Sequence, residues 1–341
     1  MEKILVIQTA FIGDAILTLP MIQKLKERHP QSEIDVMAIP VTSEIFSASP
    51  FINKVIEIDK KGKHKSFFAL SKFINEIKKN RYDLVYSPHR SFRSSFIVMM
   101  LDVKESYGFN NSSLKHVYKN LIDYKSSRHE VQRNLDLINF SYSADDWQIN
   151  PVLNISGSIK NKIDIFFNSK NIKKQIAVVA PGSVWNTKKY PSGHIEEIIR
   201  FFLDNNFSVI LTGSEKEKIL CEEIAAKFND EIINTAGMFS IMETIELLKK
   251  TEILISNDSA PTHFGMCADI PVLTIYCSTV PEFGFYPFNK KSTYVSLDGL
   301  SCKPCGIHGH KECPVKNFAC GIDLKPEVII SKIRKIINDK N

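Results

Sequence analysis

No run of apolar residues in this 341-residue chain is longer than six, Phe96 to Leu101. A membrane-crossing helix needs roughly 20, so a soluble chain is expected. The N-terminus, Met1-Glu2-Lys3-Ile4-Leu5-Val6-Ile7, enters a strand at once. It lacks a charged leader, a long apolar segment and a small-residue cleavage site, which makes the cytoplasm the expected compartment. Seven cysteines, an odd number without an export signal, point to reduced thiols rather than a disulfide framework. Three nucleotide signatures are missing as well. Without G-x-G-x-x-G a nicotinamide or flavin Rossmann enzyme is disfavoured, and without G-x-x-x-x-G-K-[ST] the chain is not a P-loop NTPase. The absence of Asp-x-Asp removes the usual metal anchor for a nucleotide diphosphate. Any departing diphosphate must then be neutralised by lysine and helix dipoles.

The chain does have enough apolar residues, 43%, to fill cores, and its length suggests two domains of the usual roughly 100–200 residues. This excludes disorder, collagen-like repeats and a disulfide-stapled miniprotein. Lys+Arg exceed Asp+Glu by 44 − 38 = 6, and the isoelectric point near 8.8 is mild. Such a surplus suits anionic ligands or a membrane surface. A nucleic-acid binder more often carries a concentrated basic stripe, so no nucleic-acid partner is expected.

Short β-branched runs alternate with longer amphipathic stretches, the pattern of βαβ units and parallel sheets. The reading places strands at 3–8, 34–38, 55–58 and 84–87, with helices at 14–29, 66–80 and 130–142. In the second of these helices Phe67, Leu70, Phe73, Ile74 and Ile77 are expected to face inward. Periodicity fails between 142 and 175, so a first domain over 1–150 and a second over 175–341 are separated by a linker region, 151–174. The second series has strands at 176–180, 208–212, 232–234, 253–256 and 272–276, and helices at 192–205, 216–228, 240–249 and 261–268. Two α/β domains in tandem would put the carboxyl ends of two parallel sheets across a cleft, where open α/β sheets bind ligands.

Three strand-to-helix loops carry polar side chains. Gly13-Asp14 follows the first strand. Asp14 reads from position alone as a helix N-cap; a functional reading needs an acceptor hydroxyl and an electrophile nearby. Pro181-Gly182-Ser183-Val184-Trp185-Asn186-Thr187-Lys188-Lys189-Tyr190-Pro191 follows the second domain's first strand. The Ser183 and Thr187 hydroxyls, free N–H groups and a lysine could hold an anion there, or the lysines are an ordinary solvated pair. Asn257-Asp258-Ser259-Ala260-Pro261-Thr262-His263 again joins a strand to a helix. Asp258 or Ser259 could simply cap it, or the turn could form a diphosphate or sugar site. His263 alone is more often a satisfied helix residue than a catalyst.

Cys302, Cys305, Cys313 and Cys320, with His308 and His310 between them, have ligand types for zinc but only partly ligand spacing. A structural loop of reduced cysteines is the favoured reading, with zinc open. Cys221, Cys267 and Cys277 fall in predicted core elements. The Lys60–Lys65 run reads as a solvated loop, whereas Arg90 and Arg93 follow a strand and would face the same cleft as Asp14.

Taken in order, these loops resemble glycosyltransferase family 9, the ADP-heptose:lipopolysaccharide heptosyltransferases. The resemblance continues through Thr279-Val280-Pro281-Glu282-Phe283-Gly284 and the segment from Cys302 to Cys320, which is most similar to the heptosyltransferase II branch. It implies an α/β architecture of the GT-B fold, two Rossmann-like domains facing each other across a cleft, with the acceptor on the N-terminal and the nucleotide sugar on the C-terminal side. Residue by residue, it implies Asp14 as general base and Lys188 on the donor phosphates. Ser183 and Thr187 lie in the same donor loop. The resemblance further implies Asp258, Ser259, Ala260 and His263 in the donor turn, Glu217 on the ribose, and Arg90 and Arg93 near the acceptor. Tyr190 stands where many relatives have Trp, and Ser259-Ala260-Pro261 replaces a frequent small-Gly-Leu run, which leaves the sugar specificity of the turn open.

The implied reaction is inverting and needs no metal or other cofactor; ADP-heptose is the donor substrate. A carboxylate takes the proton of a heptose hydroxyl as it attacks the anomeric carbon, and Lys188 with helix N–H groups stabilises the leaving ADP. The implied partners are the nucleotide sugar, the lipid-linked lipopolysaccharide core and the inner face of the inner membrane, met by a monomer docked peripherally, with the Lys60–Lys65 loop as a contact. Two alternatives are a relative using another nucleotide sugar for a surface glycan and a non-catalytic nucleotide-sugar-binding protein. Asp14 argues against the latter, because pure binding does not need a carboxylate facing the acceptor.

Overall fold

A computed structural model of the chain describes residues 1–170, 172 and 175–338. The chain divides into two compact units, Met1–Asn154 and Ile155–Asn341. Residues 171, 173 and 174 of the stretch read as a linker, and 339–341 at the end of the second domain, lie outside the described residues.

The first unit runs β1 (Lys3–Ile7), α1 (Ile12–Arg28), β2 (Glu33–Ala38), α2 (Pro40–Ser47), β3 (Lys54–Glu57), α3 (Phe67–Lys78), β4 (Leu84–Ser87), α4 (Phe92–Leu101), β5 (Glu105–Phe109), β6 (Asn120–Ile122) and α5 (Glu130–Leu137). Its six strands are all parallel in the order β3-β2-β1-β4-β5-β6. The central strand β1 is buried along Ile4-Leu5-Val6-Ile7, as expected for a strand covered by helices on both faces. Leu70, Ile74 and Ile77 of α3 and Ile97, Val98 and Leu101 of α4 close the core on one side.

The second unit comprises α6 (Gly157–Ser169), β7 (Ile176–Ala180), α7 (Ser192–Asp204), β8 (Ser208–Leu211), α8 (Lys218–Ala225), β9 (Ile232–Asn234), α9 (Ile241–Leu248), β10 (Ile253–Asn257), α10 (Ala260–Ala268), β11 (Val272–Tyr276), β12 (Thr293–Ser296), α11 (Ala319–Ile322) and α12 (Pro326–Asn338). Its parallel sheet is ordered β12-β11-β10-β7-β8-β9. Counted from its own first strand, this is the order of the first unit. In both, the chain reverses direction across the sheet between the first and fourth strands, β1/β4 and β7/β10. That is the topological switch point at whose carboxyl edge open α/β sheets hold ligands.

Several expectations change. Helix α1 starts at Ile12, so Asp14 is its third residue rather than its cap. Helix α5 ends at Leu137, not 142, because Asn139 takes a left-handed backbone (φ 50°) and the Phe140 N–H turns back to Leu135 O at 3.0 Å. Phe67 is exposed, not inward; it begins α3 at the sheet's carboxyl edge, beyond the core that the following turns cover. Helix α6 forms where no periodicity was legible. Only Ile163 and Phe166 of it are buried, with Phe166 against Phe239 at 5.2 Å and Lys162 paired to Glu243 at 2.8 Å. No helix among the described residues is long and apolar enough to cross a membrane.

Candidate active site

At the first switch point, the loop after β1 places Asp14 in the opening turn of α1, where its carboxylate accepts the Phe11 N–H at 3.3 Å. Glu130 and Tyr124 stand near enough to feel its charge, with Arg133 paired to Glu130. Glu130 and Arg133 are both buried and paired at 2.7 Å, and Arg133 also donates to the Lys125 and Ser126 carbonyls at 3.0 and 2.6 Å. The Tyr124 hydroxyl lies 3.4 Å from Glu130, while the Arg90 guanidinium stacks 3.9 Å over the Tyr124 ring. Burial pushes the Asp14 carboxyl up to about 7, with the Glu130 charge adding to it and Arg90 opposing.

Beside this cluster, Lys60 donates to the Thr9 carbonyl, and Arg93 donates to the Lys60 carbonyl at 3.3 Å. His89, at the end of β4, has Nδ1 2.8 Å from Thr9 Oγ1 and 3.0 Å from Ser94 Oγ. Burial, then the charges of Lys60 and Arg90, push this imidazole down to about 4, so it is neutral at physiological pH. Arg90 and Arg93 thus belong to different groups: one stacked near Asp14, the other tied to the lysine loop.

At the second switch point, the loops after β7 and β10 are knitted by Asn257. Its amide donates to the Pro181 and Gly182 carbonyls at 2.8 and 3.3 Å and accepts the Tyr190 N–H at 3.0 Å. Lys188 and Asp258, both mostly buried, pair at 2.6 Å. Ser259 precedes α10, with its hydroxyl on the Asn257 carbonyl at 3.3 Å, and Ala260 is the first residue of the helix. His263 is buried with no hydrogen-bond partner at Nδ1. Burial brings its pKa down to about 4, leaving a neutral imidazole with a polar atom unused by the protein.

Glu217 joins this loop from the turn after β8. Its carboxylate accepts the Ser214 N–H and hydroxyl at 2.7 and 2.8 Å, and it lies so near Gly182 that a Cβ there would run into it. Ser183 is buried beneath the loop. Thr187 is committed elsewhere: its N–H and hydroxyl engage the backbone of His310 at 2.8–3.1 Å. The segment from Cys302 to Cys320 therefore packs on the loop after β7, and also on the loop after β11 through the Cys305 N–H to Ser278 O at 2.9 Å. All seven cysteines are free, and among the described residues no three His, Cys, Asp or Glu are grouped to hold a metal ion.

Glu130, Tyr124, Arg133 and His89 were not picked out by sequence, and Lys60 only as part of the Lys60–Lys65 loop. Nothing local marks Glu130, which reads as an ordinary acidic residue in a first helical turn; only the sheet order brings α5 beside the start of α1.

Two Rossmann-like domains with matching strand order, each with an ionisable cluster at its switch point, are the GT-B architecture. The chain belongs to glycosyltransferase family 9 (heptosyltransferase), whose sequence pattern matches residues 70–318, and it is a glycosyltransferase. It is similar to lipooligosaccharide heptosyltransferase 2 of Campylobacter jejuni, 24% identical over 98% of this chain and 99% of that one. It is also similar to lipopolysaccharide heptosyltransferase 2 of Escherichia coli, 23% identical over 98% of each. Among solved structures, a family 9 glycosyltransferase from Veillonella parvula superposes with a TM-score of 0.88 at 18% identity, covering 99% of this chain and 98% of that one. The E. coli ADP-heptose lps heptosyltransferase II gives 0.78 at 21%, covering 99% of each.

Proposed function

We propose that this chain transfers heptose from ADP-heptose to the inner core of lipopolysaccharide, as an inverting, metal-independent enzyme working as a monomer on the cytoplasmic face of the inner membrane. The observation that carries the reading is the Asp14 carboxyl, poised near pH 7 at a switch point, where a general base is most effective. Its supports are the family itself and relatives named for heptosyl transfer that match along their whole length.

In this scheme the acceptor hydroxyl gives its proton to Asp14 as its oxygen bonds to the anomeric carbon. The bond from that carbon to the β-phosphate oxygen breaks, and ADP leaves with the electron pair. Lys188 and the positive N-terminal end of the α10 dipole take up the charge that develops on ADP. The neutral His263, with its unused Nδ1, and Asp258 and Ser259 bind the donor, together with Ser183, Thr187 and Ala260 of the same loops. Glu217 takes the ribose hydroxyls. Arg90 and Arg93 hold an anionic acceptor.

The test is transfer itself. Purified protein with ADP-heptose and a lipid-linked inner-core acceptor is expected to release ADP and to add the mass of one heptose to the acceptor. ADP-heptose should raise the melting temperature more than UDP- or GDP-sugars. Transfer from another nucleotide sugar with none from ADP-heptose would sink the donor assignment in favour of a different surface glycan.

A further inference from the structure

In a parallel βαβ sheet every helix begins at the carboxyl edge of the strands, so α3 and α4 start on the edge that carries Asp14. Both open with phenylalanines that the core does not take. Phe67, Phe68 and Phe92 are 70%, 82% and 61% exposed. The rings of Phe67 and Phe92 are joined through the half-buried Phe96, which lies 5.5 Å from the one and 6.3 Å from the other, and Phe68 stands next to Phe67 in the first turn of α3. Leu70, Ile74 and Ile77 of α3 face the core instead. Three large exposed rings at the starts of two helices on one sheet edge are more than the scattered apolar residues of an ordinary surface.

The patch is rimmed by one sign of charge. Residues 60–75 contain Lys60, Lys61, Lys63, Lys65 and Lys72 and no acid, and α4 has Arg93 and no acid. Acidic groups lie at the margins. Glu76 is near the far end of α3, and Asp59 is turned into its own loop, where its carboxylate accepts the N–H groups of Lys61, Gly62 and Lys63 at 3.2, 2.8 and 3.1 Å. That cradle, with the His64 ring tilted against Phe73 at 4.1 Å between centroids, gives the lysine loop a defined shape. The loop is tied to the site on one side by Lys60 on the Thr9 carbonyl, and to α4 on the other by Arg93.

We infer that the aromatic starts of α3 and α4, with the Lys60–Lys65 loop, form a docking surface for an anionic lipid bilayer. Aromatic side chains insert at the headgroup level and lysines are drawn to anionic lipid. The charge rim favours this occupant over an uncharged apolar partner. The location favours it too, because a bilayer met there brings a lipid-held acceptor to the edge that carries Asp14. The inference rests on the lipid-linked acceptor proposed above. Vesicle binding is measured without donor or acceptor, so it fails or succeeds separately from heptosyl transfer.

The experiment is flotation of the full chain with vesicles of phosphatidylglycerol and phosphatidylethanolamine, against pure phosphatidylcholine, with mass measurement in solution. Binding is expected to the anionic vesicles, to weaken with salt, and to fall roughly fivefold per charge removed in Lys61→Gln, Lys63→Gln and their double variant. Phe67→Ser/Phe68→Ser is expected to lose about tenfold or more in partition at unchanged melting temperature. Should the double substitution perturb the contact with Phe96, Phe68→Ser alone carries the test. No binding by the native chain, or equal binding by the phenylalanine variants, overturns the inference. So does self-association of the native chain that Phe68→Ser abolishes, which would assign the patch to a second copy.

Discussion

Lys188 sets its ammonium 2.6 Å from the Asp258 carboxylate, on the same oxygen that accepts the Thr279 hydroxyl at 2.6 Å. The pair joins the two loops of the second switch point, so one contact serves both to hold the loops and to keep a cation at the proposed anion site. Lys188→Ala leaves Asp258 mostly buried with a single hydroxyl donor. A lost charged hydrogen bond is worth about 1.5–3 kcal/mol, so ADP affinity should drop roughly ten- to a hundredfold and the melting temperature should fall. Calorimetric titration with ADP checks this; unchanged affinity would remove Lys188 from the phosphate role.

Asp14→Asn is expected to abolish turnover while ADP binding stays as in the native chain, because the substitution keeps the shape at the start of α1 and removes only the proton acceptor. The pH profile gives a finer reading. The base works when ionised, so kcat/KM should rise with pH through about 7, where burial and Glu130 hold the Asp14 carboxyl. Glu130→Gln removes the second of those causes and should move the acid limb about one unit lower. A limb that stays in place in Glu130→Gln would show that a different group titrates, and one near pH 4 in the native chain would show that the Asp14 carboxyl is not raised.

The loops proposed to carry this chemistry stood out because each is a strand-to-helix crossing with several polar residues in a row. Pro181–Pro191 and Asn257–His263 are the clearest cases. The alternation of short strands and longer helices was enough to place both α/β series. Helix α6 was not legible, because just two of its residues are buried and two points make no period. Helix α4 was missed because its run Phe96–Leu101 has no polar side to set a phase. Glu130 is legible only from topology: the buried Asn134, one turn along α5, donates to Leu17 O of α1 at 2.9 Å, and that pairing of helices is a long-range contact. Phe67 fits the inward period of α3 by spacing, but a helical period does not say where the covering core ends.

Stability should respond to pH at Asp14 with a definite sign. Its folded pKa, about 7, lies above the ordinary aspartate value of 3.8, so the folded state binds this proton more tightly than the unfolded chain does. The stabilisation from that bound proton is complete below about 3.8 and is lost as pH rises to about 7. Asp14→Asn escapes the loss. The variant should therefore melt higher than the native chain at pH 8, by ~1–3 kcal/mol in stability. The gap should narrow steadily as pH is lowered toward 4.5. A gap independent of pH would mean that Asp14 is not shifted.

Gly182 tests whether Glu217 belongs to the donor site. A Cβ at Gly182 would meet the Glu217 carboxylate and its adjacent carbons, while Ser214 holds the same carboxylate through two hydrogen bonds of 2.7 and 2.8 Å. Gly182→Ala must therefore drive Glu217 off Ser214, at a cost of about 1–3 kcal/mol for overpacking. If Glu217 binds the ribose, ADP affinity should fall together with stability, and Glu217→Gln should lower affinity for ADP more than for inorganic pyrophosphate. Gly193→Ala is the control: its added methyl meets nothing within 4 Å, and in the first turn of α7 it should leave ADP affinity unchanged and raise stability by roughly 0.5 kcal/mol. Equal ADP affinity in Gly182→Ala and Gly193→Ala, measured by the same titration, would separate Glu217 from the donor and leave it as the cap of α8.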